Sequence, residues 1–166
     1  MYSKNFQVDF VRRTQKILSD LQKHTEHEVT LLLNCLYGLM IYPLEFMSTN
    51  KPQSLHNFQA IIQKELKDYV ERSEPPIGKK NPKPYSSCLR NAIAHGDFII
   101  EKDAKESNEI EQSIFEDRTP GKDSEGNSHP PHCIIHIPIT DLRNFAQIVA
   151  NEYLRIISPP DAVQNN

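Results

Sequence analysis

Three polar residues with complementary chemistry lie close together in the stretch SSCLRNAIAHGDF, residues 86–98. They are Arg90, Asn91 and His95. Histidine exchanges a proton near neutral pH, arginine presents a planar fork of donors that fits phosphate oxygens, and asparagine can orient either partner. This set suits cleavage of a phosphodiester without a metal, in which a ribose 2′-hydroxyl attacks the adjacent phosphorus, histidine moves the proton and arginine stabilises the transition state. The alternative is a surface arginine and a histidine that favours the C-terminal dipole of a helix.

The segment that carries these residues is predicted to be a helix over about 85–95. Gly96 fits the left-handed position that closes a helix. Each residue advances a helix by about 100°, so Asn91 and His95 share a face, whereas Arg90 and His95 lie roughly 140° apart. Either the guanidinium folds back along the helix, or two copies of the helix face one shared groove. The apolar residues of the helix are Tyr85, Cys88, Leu89, Ala92 and Ile93.

Apolar residues also recur at helical spacing in four other segments. Pro43 is expected to end the second helix near Tyr42, and MSTNKPQS, residues 47–54, is expected to be a loop. A capping box is predicted at Thr25 and Glu28. The predicted helices, besides 85–95, cover about residues 5–23, 25–42, 54–70 and 140–156.

The periodicity changes after Asp97. Three short apolar runs, FIIE, EIEQSIFED and CIIHIPI, indicate a small antiparallel sheet. The predicted fold is mainly α: a helical bundle of four core helices plus a C-terminal helix, with a small antiparallel β-hairpin insertion at about 98–138. The chain is predicted to be a single domain over 1–158, with a flexible loop at 118–132 and a disordered tail at 159–166.

The composition of the chain bears on its nucleic-acid binding, its cellular location and its association with membranes. The chain has 166 residues and a net charge of -3, which argues against coating nucleic acid with a broad basic surface. Three separated cysteines, Cys35, Cys88 and Cys133, indicate reduced thiols and a cytoplasmic location. The N-terminus lacks a secretory signal, and the apolar run 29–41 is too short to span a bilayer, so no membrane association is expected.

The sequence LRNAIAHGDF is similar to the signature of the HEPN superfamily (higher eukaryotes and prokaryotes nucleotide-binding). That signature is an Arg, usually followed by a polar residue, and a His a few positions later on the last helix of a four-helix core. Arg90, Asn91 and His95 occupy these positions at the shortest spacing, and the resemblance extends over about residues 5–157.

The resemblance implies a domain that forms a homodimer through the face of the motif helix. It also implies a metal-independent endoribonuclease without a cofactor, often a toxin or defence component controlled by an antitoxin or another regulatory protein. Arg90 would contact the phosphate and stabilise the transition state, and His95 would be the general acid or base. Asn91 would orient either of these side chains. The alternative is a non-catalytic HEPN-like module that binds RNA, a nucleotide or a protein.

Basic residues precede the motif helix in the segment GKKNPKP. Lys79, Lys80 and Lys83 are predicted to bind RNA by attracting phosphate locally, which would offset the negative net charge. The alternative is a solubilising loop.

No metal site is predicted. The segment SHPPHCIIHIP contains His129, His132, Cys133 and His136, but a zinc site needs three or four converging ligands. In a strand that begins near Cys133, Cys133 and His136 would face opposite sides. The histidines are therefore expected to be solvent-exposed.

Overall fold

The described residues form five α-helices and one antiparallel sheet. The computed structural model describes residues 6–20, 26–102, 110–121 and 124–157. The helices are α1 (Phe6–Asp20), α2 (Glu26–Asn50), α3 (Pro52–Leu66), α4 (Tyr85–His95) and α5 (Ile139–Ile157). A 3-10 turn (Lys67–Tyr69) follows α3, and the strands are β1 (Val70–Ser73), β2 (Phe98–Lys102), β3 (Ile110–Arg118) and β4 (Pro131–Pro138).

The sheet is larger than the predicted hairpin insertion over 98–138, so the predicted helical bundle with a hairpin is wrong. The sheet has four antiparallel strands in the order β1-β4-β3-β2. β1 comes from the segment that was predicted to end the third helix. Val70 matches a helical period locally, but it pairs with Ile135, which is distant in sequence and becomes a neighbour only in the folded chain. α4 and α5 both pack against β3 and β4, so the sheet forms one wall of the core.

α2 is the central helix of the core, and it does not end at Pro43. The helix continues to Asn50, and a single residue, Lys51, separates it from α3, so the predicted loop at 47–54 is absent. An interior proline costs about 3 kcal/mol because it removes a backbone hydrogen bond. Leu44 and Met47 follow the proline and are buried, which offsets that cost.

The apolar character of α2 also allows a second interpretation. By length and composition alone, residues 29–50 could cross a membrane. Half of the most apolar window is nevertheless buried inside the protein. α2 packs against α1, α3, α4 and α5, which accounts for its composition as that of a core helix.

A bulge at the start of β4 determines which side chains face the helices. Asp117 of β3 is opposite Cys133, whereas Arg118 is opposite Pro131, so His132 is an extra residue between the two pairs. Without a bulge, neighbouring residues of a strand face opposite sides, but here His132 and Cys133 are both buried. The inward face of β3 and β4 therefore presents Asp117, His132 and Cys133 together.

The segment predicted as a flexible loop at 118–132 is bounded by the sheet. Arg118 is the last residue of β3, and Pro131 and His132 belong to β4. The mobility of the intervening residues stays a prediction. The predicted cap at Thr25 and the predicted tail at 159–166 lie outside the described residues.

Gly96 closes α4 as the sequence predicts. It has a φ of 72°, and the N–H of Asp97 donates to the carbonyl of Ala92 at 2.8 Å. No described atom lies within 4 Å of the position that a Cβ would take, so only backbone strain opposes a side chain here.

We expect Gly96→Ala to lower the free energy of unfolding by about 1 kcal/mol, measured by urea denaturation. Gly96→Asn should cost less, since asparagine tolerates this conformation, and an equal loss in both variants would contradict a backbone cause.

Candidate functional site

α4 is fixed at both ends, which sets the positions of its polar residues. At its start, the N–H of Tyr85 donates to Oε1 of Gln63 on α3 at 2.9 Å. At its end, the carbonyl of Asp97 accepts a hydrogen bond from the N–H of Glu116 on β3 at 2.9 Å. The residues of α4 buried beneath the polar ones are Ser86, Cys88, Leu89, Ala92 and Ile93.

Arg90 lies at the boundary between α4 and α2. Its Nη1 is 3.8 Å from Oε1 of Glu45, and the side chains are 38% and 66% exposed. An ion pair of this length in water contributes little and is screened by salt. The guanidinium can therefore exchange Glu45 for a phosphate oxygen at small cost.

His95 is the last residue of α4 and is exposed. Its ring has no hydrogen bond with any residue that the structure describes. Arg90 and His95 are five positions apart, which corresponds to about 7.5 Å along the helix axis and the 140° rotation derived from the sequence. Within one chain, the two side chains therefore do not converge on a single point of the α4 surface.

Asn91 lies on the same face of α4 as His95, but its side-chain amide donates to Asp117 and not to His95. Nδ2 is 3.3 Å from Oδ1 and 3.2 Å from Oδ2 of Asp117. In this arrangement the amide orients Asp117 of β3 and ties α4 to the sheet.

Asp117 is the centre of a buried polar network that the sequence did not indicate. Its carboxylate is 3% exposed, and Oδ2 is 2.9 Å from Nζ of Lys83 and 3.0 Å from Nε2 of His132. A carboxylate only accepts hydrogen bonds, so Nε2 carries the proton in this contact. Nδ1 of His132 is buried and has no hydrogen-bond partner among the described residues. The sequence offered no signal for this network, because an alternation with Ile110 and Ile114 on the inward face would place Asp117 on the outward one.

The three predicted RNA-binding lysines are in different environments. Lys83 is held by Asp117 and is only 32% exposed. Lys79 and Lys80 are exposed and line an open cleft of about 570 Å³. This cleft is mostly apolar, with Pro76 and Ile77 among its walls. Of the three predicted lysines, Lys79 and Lys80 have ammonium groups that are available to a ligand in this cleft.

Two buried thiols lie beside the network. Cys88 of α4 and Cys133 of β4 are both free cysteines. A hydrogen bond between the two side chains, followed by burial, raises the pKa of the Cys88 thiol. The Cys88 thiol is therefore protonated and unreactive in the protein alone.

Only part of the SHPPHCIIHIP cluster converges. His132 and Cys133 face the helices, and the prediction that His132 is exposed is wrong because the bulge turns it inward. His136 lies on the other face, as predicted, where its Nε2 is 2.5 Å from Oε2 of Glu71. The carbonyl of His129 accepts a hydrogen bond from Arg118 at 3.1 Å.

α4 presents an exposed histidine at its last position and an arginine about one and a half turns earlier, at the spacing of the HEPN signature to which the sequence is similar. A family model described as HEPN pEK499 p136 matches residues 1–159, and the chain belongs to this HEPN family. Comparisons with curated proteins and with solved structures found no match.

Proposed function

We propose that the protein is an endoribonuclease whose chemistry needs no metal at the reacting phosphate. The observation that carries the proposal is the pair of available groups on the motif helix. His95 is exposed, and among the residues that the structure describes Arg90 is engaged only by a long ion pair with Glu45. Membership of a HEPN family supports the same activity.

The reaction uses the 2′-hydroxyl of RNA as the nucleophile. His95 removes the proton from this hydroxyl, the bond from the 2′-oxygen to phosphorus forms, and the bond to the 5′-oxygen breaks. A protonated histidine gives its proton to the leaving 5′-oxygen. The products are a 2′,3′-cyclic phosphate and a 5′-hydroxyl. Arg90 stabilises the charge that develops on the phosphorane-like transition state.

A homodimer would supply two histidines and two arginines to one groove. One stripe of α2, about 120° wide, is exposed and includes Leu31, Tyr37 and Glu45, which contacts Arg90. Leu31 and Tyr37 are 40% and 46% exposed, which is unusual for large apolar residues on a central helix. This stripe adjoins the motif helix and supports a twofold interface that brings the two α4 helices together.

The dimer is tested by adding charge to the stripe. We expect Tyr37→Glu to convert the protein to a monomer in light scattering, because a buried unpaired carboxylate is costly at an interface. Ile77→Glu is the matched control, since Ile77 is also apolar and exposed but lies in the connection before α4. A wild-type monomer at micromolar concentration, or dissociation by both variants, would refute the assigned interface.

The wider role is also part of the proposal. Lys79 and Lys80 attract RNA phosphates near the groove, which compensates locally for the net charge of -3. The enzyme acts in the cytoplasm as a toxin or defence component that an antitoxin or another regulatory protein holds in check. The HEPN class supports this role.

A second function is a non-catalytic module that binds RNA, a nucleotide or a protein. The acidic net charge and the engagement of Asn91 by Asp117 favour it. It predicts binding without any change in the length of the RNA.

An RNA analogue that lacks the 2′-oxygen at the cut positions distinguishes the two functions experimentally. We expect the protein to cleave a short RNA in EDTA and to leave 2′,3′-cyclic phosphate ends, identified by mass spectrometry. The same RNA with 2′-deoxy sugars at the cut positions should resist cleavage, because the nucleophile is missing. Circular dichroism in the same buffer confirms that the protein stays folded, and His95→Ala, purified in parallel, excludes a contaminating nuclease. RNA that is bound but uncut would establish the binding module.

A further inference from the structure

A group of metal-ligating side chains lies inside the protein, away from the proposed cleavage groove. Cys88, Asp117 and His132 each offer one ligand atom, and these atoms all lie within 4.8 Å of one another. All three residues are buried. A side-chain hydrogen bond with Cys133 raises the pKa of the Cys88 thiol, so the Cys133 thiol lies beside this group, although it is not one of the three converging atoms. The four residues come from α4, β3 and β4, so only the folded chain brings them together.

We propose that Cys88, Cys133, His132 and Asp117 bind one structural zinc ion. Two sulfur donors, one imidazole and one carboxylate form a four-coordinate set that zinc accepts. In a tetrahedral zinc site the ligand atoms are about 3.3–3.8 Å apart, as follows from the usual zinc–ligand distances. Side-chain shifts of about 1 Å would bring the three converging atoms to these distances, and the Cys133 thiol would turn toward the same ion as the fourth ligand.

The unpaired atom of His132 is an independent reason to expect a ligand. Nε2 contacts Asp117, but the buried Nδ1 has no described partner. Leaving a buried polar atom without a partner costs roughly 1–3 kcal/mol. Zinc bound to Nδ1 would satisfy this atom, and Asp117 would exchange its contact with Nε2 for a bond to the ion.

The charges of the site balance. On binding, each of the two thiols loses a proton to solvent, so zinc and the two thiolates together are neutral. Asp117 adds one negative charge, and Lys83, whose Nζ is 2.9 Å from Oδ2 of Asp117, supplies one positive charge. Lys83 lies at the rim, 32% exposed, and can remain on the carboxylate while the ion occupies the interior.

Two catalytic roles fit these residues less well than a structural site: a cysteine nucleophile, and an ion that takes part in the RNA cleavage. Cys88 could be a nucleophile beside His132, but its thiol is 2% exposed and a polymer substrate cannot reach it. The ion is also distant from the proposed cleavage chemistry, since Cys88 precedes His95 by seven residues, about 10 Å along α4. The zinc site therefore does not rest on the proposed function, and either can fail without the other.

The test is the metal content of the folded protein. Protein produced with added zinc, kept reduced and dialysed into metal-free buffer, should contain about one zinc per chain by mass spectrometry. Cobalt added to the apoprotein should produce the near-ultraviolet absorption of a cobalt–thiolate bond, which requires a cysteine ligand. Zinc should also raise the thermal midpoint of the apoprotein.

Two serine variants locate the site. Cys88→Ser and Cys133→Ser should each lose most of the zinc and weaken the cobalt–thiolate absorption. Cys35→Ser is the matched control, since Cys35 is equally buried but lies on α2. If Cys88→Ser fails to fold, Cys133→Ser and the cobalt spectrum of the wild type still decide the question. Folded wild-type protein that takes up no zinc or cobalt, or equal uptake by all three variants, would overturn the proposal.

Discussion

His95→Ala is expected to reduce kcat/KM for RNA cleavage by roughly a hundredfold or more, the usual effect of removing a positioned acid or base. The side chain is exposed at the last position of α4, so its loss should leave the free energy of unfolding nearly unchanged. Single-turnover cleavage of a labelled RNA, with urea denaturation of the same samples, measures both quantities. His56→Ala is the control, because His56 is also exposed and helical but lies on α3.

Arg90 should show a loss of similar size for a different reason. Arg90→Ala removes charge stabilisation in the transition state, which we expect to cost on the order of 3 kcal/mol. A groove shared by two protomers also predicts that two inactive variants complement each other. When inactive His95→Ala and Arg90→Ala protomers are mixed, heterodimers should contain one intact histidine and one intact arginine and recover part of the activity. Full activity in His95→Ala would show that another site cleaves the RNA, and failure to complement would place both residues of a working site in one chain.

Asp117→Ala is expected to lower the free energy of unfolding by roughly 3 kcal/mol, because removing one partner of a buried ion pair leaves the Lys83 ammonium uncompensated and two further hydrogen-bond donors without an acceptor. Asp117 is the acceptor shared by Lys83, His132 and Asn91. The loss lies at the low end of the usual range, since the ammonium of Lys83 is 32% exposed and can turn toward water. Urea denaturation in EDTA measures this effect without any bound metal.

A surface ion pair provides the comparison. Glu45→Ala removes a carboxylate that is 66% exposed and 3.8 Å from Arg90. It should change the free energy of unfolding by less than about 1 kcal/mol. If Asp117→Ala were as stable as Glu45→Ala, the buried network would contribute nothing to the fold.

The parts of the fold that the sequence predicted correctly depend on local patterns. α4 was predicted to end at His95, where it does end, because an apolar stripe followed by Gly96 specifies a helix and its end within one short segment. The three runs after Asp97 were predicted as strands because their apolar residues are also close together in sequence. Helical geometry alone sets the angle between Arg90 and His95, and both residues are at least partly exposed.

The parts that were missed depend on contacts between distant residues. Pro43 is a strong local stop, but the burial of Leu44 and Met47 keeps α2 helical beyond it. Val70 fits a helical period until Ile135 becomes its neighbour in the sheet. The inward turn of His132 depends on the register between β3 and β4, where one extra residue reverses the face of a side chain. Without that register, the link between Asp117 and His132 could not be anticipated.

The position of α4 between the two edge strands has a consequence for the synthesis of the chain. The helix lies in sequence between β1 and β2, but β1 pairs with β4, whose residues 131–138 are translated some forty residues after α4. While the ribosome is still adding those residues, Asp117 has no His132, Cys88 has no Cys133, and β1 has no partner strand. Domains complete their packing only when all their strands are available. In a nascent chain, the proposed RNA-cleaving residues would therefore pass the ribosomal RNA before the sheet that positions them has formed. Activity would begin only after β4 has left the exit tunnel.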